Sequence, residues 1–272
     1  MKKLEQSYQH TIRTSIRSED KATGACATFR PAAADTGIVF RRVDCSPVVE
    51  IKAHWSALQL CRDEVTLSSE NYSVSGIGLL LATCRGLGID NLLVDIEGAV
   101  MPLAGSRASN YVFILQAAGF QEQNTARVLR TLSEPLSLPL RNGWLRATPA
   151  NDLRVIQAAS NSGSNTNEAG HITRVDRARF TSEICHVSPG SIELDAHAFL
   201  QEKQQINSAV IQVMAALSLI SGTFVASIAL FQAGLKPDLL QYLSEIEARS
   251  KVLSGEKIAL ASIQKVKQQS RA

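Results

Sequence analysis

The residues able to carry chemistry are few and scattered. Five histidines occur, at His10, His54, His171, His186 and His197, and five cysteines, at Cys26, Cys45, Cys61, Cys84 and Cys185. A catalytic zinc takes three protein ligands and keeps one position open, and such a metal is what lets water attack an amide near neutral pH. Cys185 and His186 are adjacent, so their side chains diverge on a helix or a strand. His171 follows the polar stretch NSGSNTNEAG, and His197 lies in an irregular ELDAHAF stretch. The candidates for a metal site are His10, His54, His171, Cys185, His186 and His197, and these histidines read as surface or half-buried side chains. The odd number of cysteines, without a CxxC pair, fits reduced thiols in a cytoplasm. Asp95 and Glu97 alternate with Val94 and Ile96, which reads as the solvated face of a strand and not an acid/base pair. GLGIDN (Gly86–Asn91) has the glycines of a phosphate loop, but it leads into a strand, whereas a dinucleotide fingerprint leads into a helix. It reads as a helix stop. No GxSxG or Walker-A pattern is present.

The elements around these residues follow from patterning. The chain has 272 residues, 45% hydrophobic, with 28 basic against 25 acidic residues and only 5% aromatics. A core can form, and neither the charge nor the aromatic content suits a nucleic-acid surface. The N-terminal MKKLEQSYQHTIRTSIRSEDK is polar and lacks the apolar region of a secretory signal. Turn signals at Pro31 and Asp35-Thr36-Gly37 precede expected strands at Gly37–Asp44 and Val48–Ala53. Residues 74–86 read as a buried helix stopped at Gly86/Gly88, Asn91–Glu97 as a buried strand, and Ser109–Phe120 as a helix ending at Gly119. Beyond Thr125, Pro135, Pro139 and Pro149 break a run of strands, and a final helix follows Lys236-Pro237-Asp238. From Gln204 to Leu235 no residue is charged. Ala215–Phe231 is nearly long enough to span a bilayer, but Ser221-Gly222-Thr223 reads more simply as a turn between a buried helix and a buried strand. Membrane association through this segment is not favoured. Helix and strand recur in the same order twice, so the expected organisation is two similar α+β domains, 1–124 and 125–256, with a polar basic tail at 257–272.

FRPAAADTGIVFRRVD (Phe29–Asp44), GLGIDN and MPLAGSRASNYVFILQAAGF (Met101–Phe120) resemble the UDP-3-O-acyl-N-acetylglucosamine deacetylases, zinc enzymes of lipid A synthesis. GWLRATPANDLRV (Gly143–Val155) and RARF (Arg177–Phe180) continue the likeness. The resemblance implies two domains, each a β-sheet with a helix pair packed against it, the helices sandwiched between the two sheets. The family's site lies between them. The stretch from Arg179 to Ser208 is short, so the insert that walls the family's acyl passage looks trimmed.

The family's reactive residues are not carried over. The base and the first zinc ligand, a Glu-His pair before GLGIDN, fall on Gly78 and Leu79. The second zinc motif, His-x3-Asp, falls on Ser208 and Gln212. The Asp that orients the family's catalytic histidine falls on Ala216, and that histidine on Leu235. SEDKA (Ser18–Ala22) replaces the family's Gly-Leu-His-Ser-Gly. The expectation is therefore a degenerate member with no cofactor, acting by protein binding as a cytoplasmic regulator in lipopolysaccharide synthesis, at most peripheral to the inner membrane. Its partner would be the active deacetylase or that enzyme's regulators, and not nucleic acid. The alternative is an active, divergent deacetylase with a zinc site rebuilt on His171, His186 and His197. Leu79 and Leu235 would fill the former site with apolar side chains.

Overall fold

A computed structural model describes residues 8–21, 23–61, 64–103, 107–140, 143–158, 170–186, 209–220, 222–231 and 239–252. The first 126 residues begin with three strands whose side chains alternate: β1 (Tyr8–Ile12), β2 (Ile16–Glu19) and β3 (Cys26–Pro31). Asp35 (φ 62°) and Gly37 (φ 73°) turn the chain into β4 (Ile38–Arg42), which pairs with β5 (Val49–Lys52). A hairpin of β6 (Leu58–Cys61), β7 (Glu64–Ser69) and β8 (Tyr72–Val74) follows. Then come α1 (Gly78–Leu87), β9 (Leu92–Glu97), α2 (Ala108–Ala117) and β10 (Phe120–Ala126). The buried helix expected from residue 74 starts four residues later. Tyr72–Val74 is claimed by pairing with β7, and Gly76 takes the left-handed conformation (φ 71°).

The second half repeats this plan. It comprises β11 (Leu129–Leu132), β12 (Leu136–Leu140), β13 (Gly143–Pro149), β14 (Arg154–Ala158), β15 (Gly170–Arg174), the short α3 (Arg177–Ser182), a helix α4 over 209–217, β16 (Thr223–Phe224), β17 (Ala226–Phe231), α5 (Leu239–Ala248) and β18 (Ser250–Val252). One five-stranded sheet has the order β2-β3-β9-β4-β5 and the other β12-β13-β17-β14-β15. In each, the third strand in space runs antiparallel to the second and parallel to the fourth. The flanking pair is repeated too, β1 with β10 and β11 with β18, both antiparallel. Pro139 sits in β12, an edge strand, where its missing N–H breaks no ladder.

Both halves share one core. Leu92, Val94 and Ile96 of β9 point inward with Phe29 and Phe40, and Phe29 meets the Tyr111 ring edge-on at 6.2 Å. Leu145, Ala147, Val155 and Ile228 line the inner face of the other sheet, and the helices fill the space between. Residues 215–231 are not one span. Gly222 (φ 77°) breaks them into the end of α4 and the buried strands β16 and β17. Among the described residues no helix is long and apolar enough to cross a membrane.

The two halves lock at α1. Gly86 is not a helix stop: it lies inside α1, and its lack of a side chain admits the Phe180 ring of α3. A Cβ there would fall 2.3 Å from that ring. The stop is Gly88 (φ 72°), whose N–H caps the Arg85 carbonyl. Ser218 Oγ donates to the Leu81 carbonyl at 3.1 Å, and the Trp55 backbone N–H donates to the Leu219 carbonyl at 3.0 Å. The Trp55 indole N–H donates to Glu247 of α5.

Candidate functional site

The two ends of α1 differ in chemistry. Its start is apolar: the N-cap residue Ile77 makes no side-chain capping bond, and the first turn carries no acid. Leu79, Leu80, Leu81 and Ala82 are buried. A Cβ on Gly78 would lie 3.9 Å from Ala215 Cβ on α4, so the position of the expected base faces the helix carrying Gln212 and Ala216. Ala215 and Ala216 are buried, and Gln212 is half-buried. Ser208 and Leu235 lie outside the described residues. Glycine, leucine and alanine offer neither a lone pair for a metal nor a base for its water, so the side chains described at this end of α1 do not fit zinc. Among the described residues no three His, Cys, Asp or Glu side chains gather as a metal site would need.

Of the fallback metal candidates His171, His186 and His197, only His186 has its side chain among the described residues. His186 is exposed in the turn Ile184–His186. His171 pairs its backbone with Gln157 in β14, and its side chain, like all of His197, lies outside the described residues. His10 and His54 serve structure. His10 Nδ1 stands 3.0 Å from the Tyr8 carbonyl, and His54 Nδ1 accepts from the Ser56 N–H at the start of a 3-10 turn. Cys26, Cys45, Cys84 and Cys185 are free thiols, all but Cys45 buried. Burial pushes the Cys84 thiol up to about 12 and raises that of Cys185.

Asp95 is not on a solvated face. It is 7% exposed, covered by Arg30 at 2.5 Å and Arg41 at 3.4 Å. Guanidinium groups from β3 and β4 roof the carboxylate because their registers place them across from Leu93 and Asp95 of β9. Glu97, its partner in the expected pair, is exposed beside Arg17 at 3.4 Å. Arg41 and Arg42 are held in ion pairs: Arg41 stands 3.4 Å from Asp95 and 3.7 Å from Glu50, and Arg42 forks onto Asp44 and donates to the Ser73 carbonyl at 2.9 Å.

The far end of α1 is polar. At 1.5 Å per residue it lies about 15 Å from the start. Here GLGIDN stitches both halves together. Asp90 takes two bonds from Arg127, at 2.6 and 2.8 Å, and one from the His10 N–H at 2.8 Å. Asn91 donates to Gln9 and Gln123 and accepts from the Gly37 N–H. Beside this network a cavity of about 540 Å³ opens between the halves, with Lys52, His54, Arg85, Arg127 and Arg130 on its wall. Sequence reading missed it. The one available signal was Arg85, the first charge after an uncharged run from Val74 to Cys84.

Residues 9–205 match the model of a protein family described as UDP-3-O-acyl N-acetylglycosamine deacetylase. Over 154 residues the chain is 32% identical to the UDP-3-O-acyl-N-acetylglucosamine deacetylase of Idiomarina loihiensis, covering 56% of this chain and 50% of that protein. It is 34% identical over 154 residues to the protein of the same name from Colwellia psychrerythraea, covering 54% and 50%. The chain thus spans about half the length of the curated relatives it matches.

Proposed function

Because the chain belongs to the UDP-3-O-acyl N-acetylglycosamine deacetylase family, we propose that it is a catalytically inactive homologue acting by protein binding, a cytoplasmic regulator in lipid A and lipopolysaccharide synthesis. The observation that carries this reading is the start of α1. Gly78 and Leu79 occupy the positions where the family resemblance places a base and a ligand; Leu79 is buried, and a Cβ on Gly78 would touch the Ala215 Cβ of α4. An apolar filling removes the cost of burying unpaired polar groups. It also removes what a hydrolytic water needs, a metal and a proton acceptor.

The scaffold around that filling is kept in detail. Asp90, Asn91 and Gly37 hold β1, β4 and β10 in register, and Gly86 lets the second half seat on the first. A folded scaffold without the family's reactive groups is suited to recognition. The partner we favour is the active deacetylase or a protein that sets its level.

The test is a tagged chain purified from its native cell at gentle salt, with zinc measured on the same eluate. Co-purification of the deacetylase or its regulators, with zinc far below one per chain, is the expected result. A chain that comes out alone with stoichiometric zinc, lost on replacing His171, His186 or His197 by Ala, would overturn it.

A further inference from the structure

We propose that the cavity at the C-terminal end of α1 is a binding site for a small phosphate-bearing ligand, held between the two halves by Lys52, Arg85 and Arg130. The cavity's size, about 540 Å³, is that of a small-molecule site. Four permanent cations line it, Lys52, Arg85, Arg127 and Arg130, against two carboxylates, Asp35 and Asp90. Both carboxylates are engaged. Asp90 is forked by Arg127 and Asp35 accepts from Gln9 at 2.7 Å. Lys52, Arg85 and Arg130 line the cavity beside them, and among the described residues none of the three forms an ion pair within 4 Å.

Two of these cations are set into the wall and incompletely satisfied. Arg85 gives one Nη to the Phe224 carbonyl, and Arg130 gives one to Ser250 Oγ at 2.6 Å. The Nε of each is buried without a hydrogen-bond partner. Buried donors without partners are rare, and a water or an anion can supply the acceptor. Burial, and next the nearby Arg127 guanidinium, lower the Arg85 pKa to about 10, against a smaller opposing pull from Asp90 and Tyr242; an anion in the cavity would add to that pull. Phosphate oxygens match guanidinium forks and a mobile ammonium together. Ile38, Ile89 and Ile220 supply apolar wall for the rest of a ligand. Lys52 comes from the first half and Arg130 from the second, so an occupant would tie the halves together. This site is distinct from the start of α1, and the proposal does not rest on the inactive reading.

The test uses the full chain and pyrophosphate, with inorganic phosphate as a second probe and sodium chloride at matched ionic strength as the control. Calorimetry is expected to show saturable binding of pyrophosphate, with a rise in the melting midpoint that chloride does not give. Lys52→Gln and Arg130→Gln are each expected to weaken binding about tenfold, and Arg85→Gln to abolish it. Arg17→Gln, an exposed charge outside the cavity, is expected to leave it unchanged. Absence of saturable binding, or equal loss in Arg17→Gln and the cavity variants, overturns the proposal. If Arg85→Gln does not fold, Lys52→Gln, at an exposed position on edge strand β5, and Arg130→Gln decide it by the same readout.

Discussion

Gly86 and Phe180 meet with no space between them, and the cost of changing either is set by that contact. Gly86→Ala puts a methyl group 2.3 Å from a fully buried ring. Overpacking of this kind costs about 1–3 kcal/mol, read as a lowered urea midpoint. Phe180→Ala opens a cavity instead, at about 3–5 kcal/mol. The double variant is expected to be more stable than the sum of the two losses, because the added methyl then has room. A strictly additive cycle would mean that the contact does not set the cost. The Arg42–Asp44 fork acts on pH. Its hydrogen bond holds the Asp44 carboxyl down to about 2 from an ordinary 3.8. A depressed carboxylate contributes stability that is complete above the unfolded value, near pH 4, and is lost as pH falls through about 2. Asp44→Asn is expected to flatten that part of an acid titration of stability and to leave the slope above pH 5 unchanged.

At the level of elements, α1 separates what the sequence disclosed from what it hid. Its existence, its burial and the strand after it were legible, because ten residues of apolar period end at a glycine and lead into NLLVDIE. Its start was read four residues early, because the pairing of Tyr72–Val74 with β7 is a tertiary fact. Gly86 read as a stop because a glycine near a helix end usually is one; only the Phe180 ring shows why it lies inside the helix. Asp95 read as solvated from strict alternation, and the alternation is correct. What alternation does not show is a roof of arginines from two neighbouring strands. The cavity was illegible for the same reason, since residues 52, 85 and 130 are brought together by the fold alone. The apolar start of α1 yields its own prediction. Gly78→Glu with Leu79→His puts two polar groups into a packed apolar contact, where each unpaired one costs about 1–3 kcal/mol. The pair is expected to lower the melting midpoint and to give no deacetylation. Turnover in that double variant, measured with added zinc, would contradict the filled-site account.

The whole molecule is one plan used twice, with sheet orders β2-β3-β9-β4-β5 and β12-β13-β17-β14-β15 and an antiparallel flanking pair in each half. Repetition explains why the sequence could suggest two similar halves before any contact was known. It does not make them independent. Arg85 and Leu81 of the first half bond to Phe224 and Ser218 of the second, and Phe180 fills the notch at Gly86. Heat or urea is therefore expected to unfold the chain in one transition, with tryptophan fluorescence and far-ultraviolet circular dichroism coincident. Two separated transitions would show that the shared core couples the halves weakly. Whether this deacetylase scaffold lacks a hydrolytic centre, as proposed, is decided by one assay. The purified chain, saturated with added zinc, is given UDP-3-O-acyl-N-acetylglucosamine, and acetate release is followed. The account predicts release no faster than in buffer with zinc alone; acetate release proportional to enzyme concentration, abolished by a chelator, would contradict it.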